Sequence, residues 1–260
     1  MGTVVFSDVH ADADALGHVA AFIRDPSFSL HFGPVDTLVN LGDLLHRGNC
    51  PESTLELIQD LSHQFRMISV LGNHDHAFLN GVPVSGSDET STIRHEQLRG
   101  SPLLSLFTDM PMEWVENRIL FVHGGPLDLG NQTLRLKCWQ RLSHSAGDSF
   151  TGYHYTAPMA FEALERRGLK FLVCGHQHTH VCCRKTTMGG IQEHLIRYIR
   201  KNVPTAFESS VETARVLLDL PTLFRIGGCH GDRPEFAYID DMAFSYIRLS
   251  KSDMFSIPFE

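Results

Sequence analysis

Five short apolar runs in this sequence each give way, within a residue or two, to a side chain able to bind a metal ion. Val4-Val5-Phe6 is followed by Asp8-Val9-His10, Leu38 to Leu41 by Gly42-Asp43, and Met67 to Leu71 by Gly72-Asn73-His74-Asp75. Ile119 to Val122 leads into His123-Gly124-Gly125, and Phe171 to Cys174 into Gly175-His176-Gln177-His178. A single Asp-x-His arises readily as a strand-end cap, but an ordered set of five requires that bland explanation to succeed five times over. Mixed carboxylate, imidazole and amide ligands suit Mn, Fe, Zn, Co or Ni better than Ca or Mg.

The runs that carry these residues are short and rich in β-branched residues, which predicts strands buried on both faces. Between the first three lie segments with apolar residues at helical spacing: Leu16, Val19, Ala20 and Ile23, then Leu55, Ile58 and Leu61. The alternation predicts an α/β layered domain with helices covering a sheet whose strands end at one crevice; with a second sheet completed later in the chain, the expected architecture is a two-sheet α/β/β/α sandwich. Glycines 42, 72, 124, 125 and 175 let the chain turn there. Residues 222–226, 235–240 and 243–249 read as an antiparallel stretch completing a second sheet. Residues 142–156 read as a loop. The segment 187–220, with a stripe of Ile191, Leu195, Ile196 and Ile199, reads as a helical insertion in a single domain spanning 1–260.

Composition bounds the rest. With 260 residues and 42% hydrophobic content, the chain can bury a core without staples. No run approaches the roughly 18 apolar residues of a membrane span. A formal charge of −8, from 22 Lys+Arg and 30 Asp+Glu, argues against stable nucleic-acid binding. Six cysteines without a C-x-x-C pair read as reduced thiols, and the amino terminus shows no signal peptide, so a cytoplasmic location is expected. There is no G-x-S-x-G elbow, no P-loop and no H-E-x-x-H.

The order Asp8-x-His10, Gly42-Asp43, Gly72-Asn73-His74-Asp75, Val122-His123-Gly124 and Gly175-His176-x-His178 resembles the calcineurin-like metallophosphoesterases, over about residues 3–180. A weaker echo of the small bacterial members runs from Arg225-Ile226-Gly227-Gly228 to Asp240, without the usual Asn-Pro-Gly-Ser turn. The resemblance implies a dinuclear centre at the carboxyl ends of the strands. One ion would be held by Asp8, His10, Asp43 and His178, the other by Asp43, Asn73, His123 and His176. Manganese is the first expectation for the metal. A bridging carboxylate such as Asp43 offsets the repulsion of two cations.

The same resemblance implies a metal-dependent hydrolase, a phosphatase acting by metal-bridged hydroxide attack, with His74 as the general acid and Asn73, His74 and Arg47 around the substrate. Gly42-Asp43-Leu44-Leu45-His46-Arg47-Gly48 resembles the Gly-Asp-x-x-Asp-Arg-Gly signature of the phosphoprotein phosphatase branch, in which the arginine grips phosphate. His46 stands where that branch has the aspartate that orients the catalytic histidine; diadenosine tetraphosphate hydrolases of bacteria, which also resemble this branch, lack that aspartate as well, and Asp75 is the candidate for the task here. Expected substrates are phosphomonoesters, as in a phosphorylated small molecule, nucleotide or phosphoprotein, or dinucleoside polyphosphates. A phosphodiesterase is the alternative enzyme, and a non-catalytic scaffold of the same fold the alternative class.

Other residues weigh less. His18, His31, His63, His95, His144, His154 and His194 read as surface groups or satisfied polar contacts. His180 is a supporting, substrate or solvent-exposed residue, and His230 a candidate for the crevice wall. Arg184, Lys185, Arg197, Arg200 and Lys201 read as a wet helix face or a guide for anions.

Overall fold

The structure, a computed structural model, describes residues 2–201, 203 and 210–250. The first half alternates strands and helices: β1 (Thr3–Phe6), α1 (Ala13–Arg24), α2 (Pro26–Phe32), β2 (Thr37–Asn40), α3 (Pro51–Gln64), β3 (Arg66–Ser69), α4 (Asn73–Asn80) and α5 (Glu89–Leu98). Then come β4 (Glu113–Glu116), β5 (Ile119–Val122), β6 (Arg141–Leu142), β7 (Gly147–Ser149), β8 (Gly152–Tyr155), α6 (Ala157–Arg166) and β9 (Phe171–Cys174). The remaining strands are β10 (Val181–Lys185), β11 (Ile191–Glu193), β12 (Ile199–Lys201), β13 (Ser210–Leu217), β14 (Thr222–Arg225), β15 (Glu235–Ile239) and β16 (Ala243–Ser250).

Among the described residues these strands form a seven-stranded sheet in the order β12-β13-β16-β15-β1-β2-β3 and a six-stranded sheet in the order β11-β10-β14-β9-β5-β4. Strands β1, β2 and β3 run parallel, as do β5, β9 and β14. Side chains alternate across a strand, so each sheet presents two apolar faces. Val4 and Phe6 meet Leu16, Val19 and Ile58 of the helices, whereas Val5 faces inward with Val39, Phe121, Val173 and Phe224. On the far side Leu120 and Leu172 pack against Phe161 and Leu164 of α6. Helix, sheet, sheet and helix layers are thus the predicted sandwich. The two sheets meet at Phe224 and Phe244, stacked with centroids 4.1 Å apart and both fully buried; truncating either to alanine costs about 3–5 kcal/mol.

The helices begin where capping chemistry allows. Asp12 Oδ1 accepts from Ala15 N at the start of α1, and Asp25 accepts from Ser27 N before Pro26 opens α2.

Three expectations change. The segment 187–220 is not helical in its described residues: β11 pairs with β10, and β12 and β13 extend the large sheet. Leu195 and Ile199 are 69% and 70% exposed, so the apolar stripe does not form a buried helix face, and edge pairing prevails over the helical period. Residues 202 and 204–209 of that segment lie outside the described residues. The stretch 142–156 is not merely a loop, since β6, β8 and β7 form a small sheet. The late strands divide between sheets: β14 joins β9, whereas β15 and β16 bond onto β1. The chain crosses from one sheet to the other through Ile226-Gly227-Gly228, because β1 has an open edge that Ile239, Tyr238 and Ala237 fill. No described helix is long and apolar enough to cross a membrane. All six cysteines are free thiols, Cys50 exposed and the others buried.

Candidate active site

The loops after β1, β2, β3, β5 and β9 converge where the two sheets meet. Asp8, His10, Asp43, His176 and His178 all have φ between 51° and 69°. This left-handed conformation costs a residue with a Cβ roughly 1–3 kcal/mol and persists where surrounding contacts dictate it. Packing around the loops is close as well. A Cβ on Gly175 would lie 2.0 Å from Ser7 Oγ and 2.7 Å from Asp8 Oδ2, and one on Gly72 would lie 2.1 Å from Asp43 N.

Each buried aspartate commits one oxygen to the backbone. Asp8 Oδ2 accepts from His176 N at 2.9 Å and Asp43 Oδ1 from His74 N at 2.8 Å. Their other oxygens, Asp8 Oδ1 and Asp43 Oδ2, have no hydrogen-bond partner. Around them stand imidazoles. His178 Nε2 is 3.2 Å from Asp8 Oδ1 and 3.0 Å from His10 Nε2. His123 Nε2 is 3.2 Å from Asp43 Oδ2, 3.2 Å from His176 Nδ1 and 3.1 Å from Asn73 Oδ1. Asp43 Oδ2 also faces His10 Nε2 at 3.8 Å, so this atom belongs to both sets. All seven predicted ligand residues are therefore brought together.

The ring orientations suit a cation. His10 Nδ1 and His123 Nδ1 face the carbonyls of Leu45 and Leu41 at 3.3 Å and 2.8 Å. Donation there leaves the Nε2 lone pairs directed at the carboxylates. Unpaired buried carboxylate oxygens are costly, and nitrogen lone pairs facing each other at about 3 Å cannot satisfy one another without a shared positive charge. The electrostatics say the same. Burial pushes His10 down to about 3 against the pull of Asp43 and Asp8, and pushes His176 well below its usual value. Burial also disfavours a charged His123, yet Asp43 overrides it and raises that ring to about 9. Two groupings, Asp8-His10-His178 and Asp43-His123-His176, could each hold a metal ion. The donor set fits divalent cations.

Beside these ligands sits His74, buried at the start of α4, with its ring edge-on to His10 at 4.8 Å between centroids. Its Nε2 is 3.5 Å from Arg47 Nη2, and its Nδ1 is buried without a partner. Burial lowers its pKa, opposed by Asp43 and reinforced by Arg47. Asp75 does not orient this ring. Its carboxylate accepts the N–H groups of Asp43, Leu44, Leu45 and Gly72 at 2.7, 2.9, 3.0 and 3.2 Å, which occupies it in shaping the loop after β2. Burial and the Asp43 charge push Asp75 up to about 7 against those donors. The ring nearest the role assigned to an aspartate in the related branch is His46, 5.5 Å from His74 between centroids and with an unpartnered Nδ1. His46 N donates to His95 Nε2 at 2.7 Å, and His95 Nδ1 faces Ser91 O at 2.7 Å, so buried His95 is the satisfied polar contact expected.

His230, the candidate for the crevice wall, lies there, its Nε2 3.2 Å from His178 Nδ1. A residue near the site that the sequence did not single out is Arg141. Arg141 lies on β6, in a region read as loop; it is half-buried, with a pKa lowered by burial and opposed by Asp43 and Asp8. Gln177 clamps that strand by accepting from Leu142 N at 2.8 Å and donating to Leu142 O at 3.1 Å. His180 is a supporting residue, 3.2 Å from buried Glu235. The basic stretch serves elsewhere: Arg184 pairs with Asp219, Lys185 with Glu165, and Lys201 covers the ring of Phe32.

The sequence pattern of the calcineurin-like phosphoesterases matches residues 1–180. Among solved structures, the chain is similar to a metallophosphoesterase from Sphaerobacter thermophilus at 19% identity, covering 97% of this chain and 90% of that one, with a TM-score of 0.60. It is similar to a hypothetical protein from Pyrococcus horikoshii OT3 at 13% identity, with 96% and 88% covered and a TM-score of 0.63. A serine/threonine phosphatase from Saccharomyces cerevisiae aligns at 13% identity, with 97% and 80% covered and a TM-score of 0.58. At such identities the likeness is one of fold. No curated protein sequence matches the chain. Because the family pattern spans more than half of the sequence and takes in all five strand ends that build the site, the chain belongs to the calcineurin-like phosphoesterase family.

Proposed function

We propose that this phosphoesterase is a phosphatase that hydrolyses phosphomonoesters with the help of two divalent transition-metal ions, manganese first among them. Asp8, His10, Asp43 and His178 hold one ion in this reading, and Asp43, Asn73, His123 and His176 the other. Bound there, the ions would supply Lewis acidity to the phosphoryl oxygens and lower the pKa of water toward neutrality.

The chain's own residues supply the rest. Asn73 sits between the ligands and His74 and faces the substrate phosphate. Arg47, exposed at the rim and joined to no carboxylate among the described ion pairs, presents its guanidinium fork to two phosphoryl oxygens. His74 Nε2 carries the proton for the departing oxygen, a role worth roughly 10²–10⁴-fold in rate. The observation that supports this reading is the 3.5 Å approach of Arg47 Nη2 to His74 Nε2, directly beside the two ligand sets. A monoester dianion offers that fork more charge than a diester monoanion does, which favours a phosphatase over the phosphodiesterase alternative.

Initial rates on a mono-aryl and a bis-aryl phosphate, with Mn²⁺ and after chelation, test the proposal. Faster monoester turnover that disappears on chelation supports it. Faster bis-ester turnover, or turnover indifferent to chelation, overturns it.

A further inference from the structure

Beside His10 and Arg47 opens a cavity of about 390 Å³ whose wall continues through Asp12, Asp14, Cys50 and His230. Its volume falls in the range of small-molecule sites, roughly 300–1,000 Å³. Two of its wall residues belong to the candidate catalytic centre, so a phosphate bound at Arg47 would project its ester group from that centre into this space. The charge of the wall is uneven. Arg47 brings the positive charge that a phosphoryl group needs, whereas the beginning of α1 brings two carboxylates. Asp12 is fixed in place, accepting from Ala15 N at 2.9 Å and from Gly231 N at 2.8 Å. Asp14 is exposed, and its carboxylate has no partner among the described residues. The partial positive charge of a helix N-terminus, about half a unit, is outweighed by two full negative charges.

We propose that this cavity receives the leaving group, and that it selects phosphomonoesters of cationic alcohols, such as amino alcohols, over those whose alcohol carries further negative charge. The inference rests on the phosphomonoesterase reading above. It also separates the two expected substrates: a dinucleoside polyphosphate would lay additional phosphates against Asp12 and Asp14, whereas an ammonium would pair with Asp14.

Three esters of nearly equal size test this with the manganese-loaded full chain: O-phosphoethanolamine, ethylene glycol monophosphate and phosphoglycolate. The expected order of kcat/KM is cationic, neutral, anionic. Asp14→Asn should narrow each step by about three-fold and Asp14→Lys should reverse the order, in keeping with exposed charge pairs of order 0.2–1 kcal/mol. The steps should shrink in high salt. A second readout needs no turnover. Cys50 is the exposed cysteine and lies in the same wall, so a cationic methanethiosulfonate reagent should modify it faster than an anionic one, with the ratio falling in Asp14→Asn. If the loaded protein hydrolyses none of the three esters, the phosphomonoesterase reading fails. If it hydrolyses the neutral ester but shows no charge order, an anionic preference, or an order and a labelling ratio that Asp14→Lys leaves unmoved, only the cavity proposal is overturned.

Discussion

Asp75 Oδ2 accepts the backbone N–H of Asp43 at 2.7 Å, so the carboxylate that follows His74 in sequence holds the loop of the shared ligand rather than the ring beside it. Four amides depend on Asp75. Asp75→Ala would leave them buried without acceptors, at about 1–3 kcal/mol each before relaxation. The expected result is a loss of at least about 3 kcal/mol in chemical denaturation, together with weaker metal binding by titration calorimetry. A variant with unchanged stability would show that those amides find other acceptors.

His74→Asn should lower kcat on an alkyl phosphate by roughly 10²–10⁴-fold while both metal ions remain bound in elemental analysis. On an aryl phosphate, whose leaving group needs less help from an acid, the loss should be smaller. Equal losses on the two esters would place His74 outside proton transfer.

His46 stands 5.5 Å from His74 between ring centroids, and both rings keep an unpartnered Nδ1. A carboxylate there would orient and charge the His74 ring more strongly, so His46→Asp should raise kcat on alkyl phosphates by about ten-fold, the lower end of what such supporting residues contribute. Arg47→Ala should instead act through phosphate, raising KM by about ten-fold or more. Steady-state kinetics on the two variants separates the roles.

Chelation should destabilise the protein as well as silence it. Asp8 Oδ1 and Asp43 Oδ2 are buried without hydrogen-bond partners, and a cation present at a hundred times its Kd adds about 2.7 kcal/mol. Calorimetry should show Tm rising by about 5–10 °C on adding Mn²⁺ to the chelated protein. That shift should largely vanish in Asp43→Asn.

Glu235 should contribute an acid limb to the stability curve. Burial raises its pKa, but the hydrogen bonds from His180 and Tyr198 prevail and hold it below its usual 4.5. Its partners include Tyr198 at 2.7 Å, Arg248 at 2.8 Å and Gly227 N at 2.7 Å. A carboxylate depressed by folding adds stability above pH 4.5 and loses it as the pH falls through the folded value. Glu235→Gln should therefore be less stable at neutral pH and show a flatter decline below 4.5, measured by urea denaturation across pH.

Much of the site was legible because it is written at strand ends. A short apolar run closed within a few residues by a metal-capable side chain is a local pattern, and it recurs at Asp8, Asp43, Asn73, His123 and His176. Strand length and the helical period of α1 and α3 are local properties, so the layered class followed from the sequence. The order of ligands along the chain also sufficed to suggest one crevice.

Partnership, by contrast, was decided in three dimensions. Asp75 lies next to His74 in sequence, yet it sits at the third position of α4 and bonds to a loop 30 residues away, a choice set by which amides its carboxylate can reach. The stripe of Ile191 to Ile199 has a helical period, but the open edge of a sheet offered hydrogen bonds that a short helix could not match. Arg141 carries no local pattern, because long-range packing alone brings β6 to the crevice. Local periodicity determines elements and their ends; which polar group meets which depends on contacts between distant segments, and those exist only once the chain has folded.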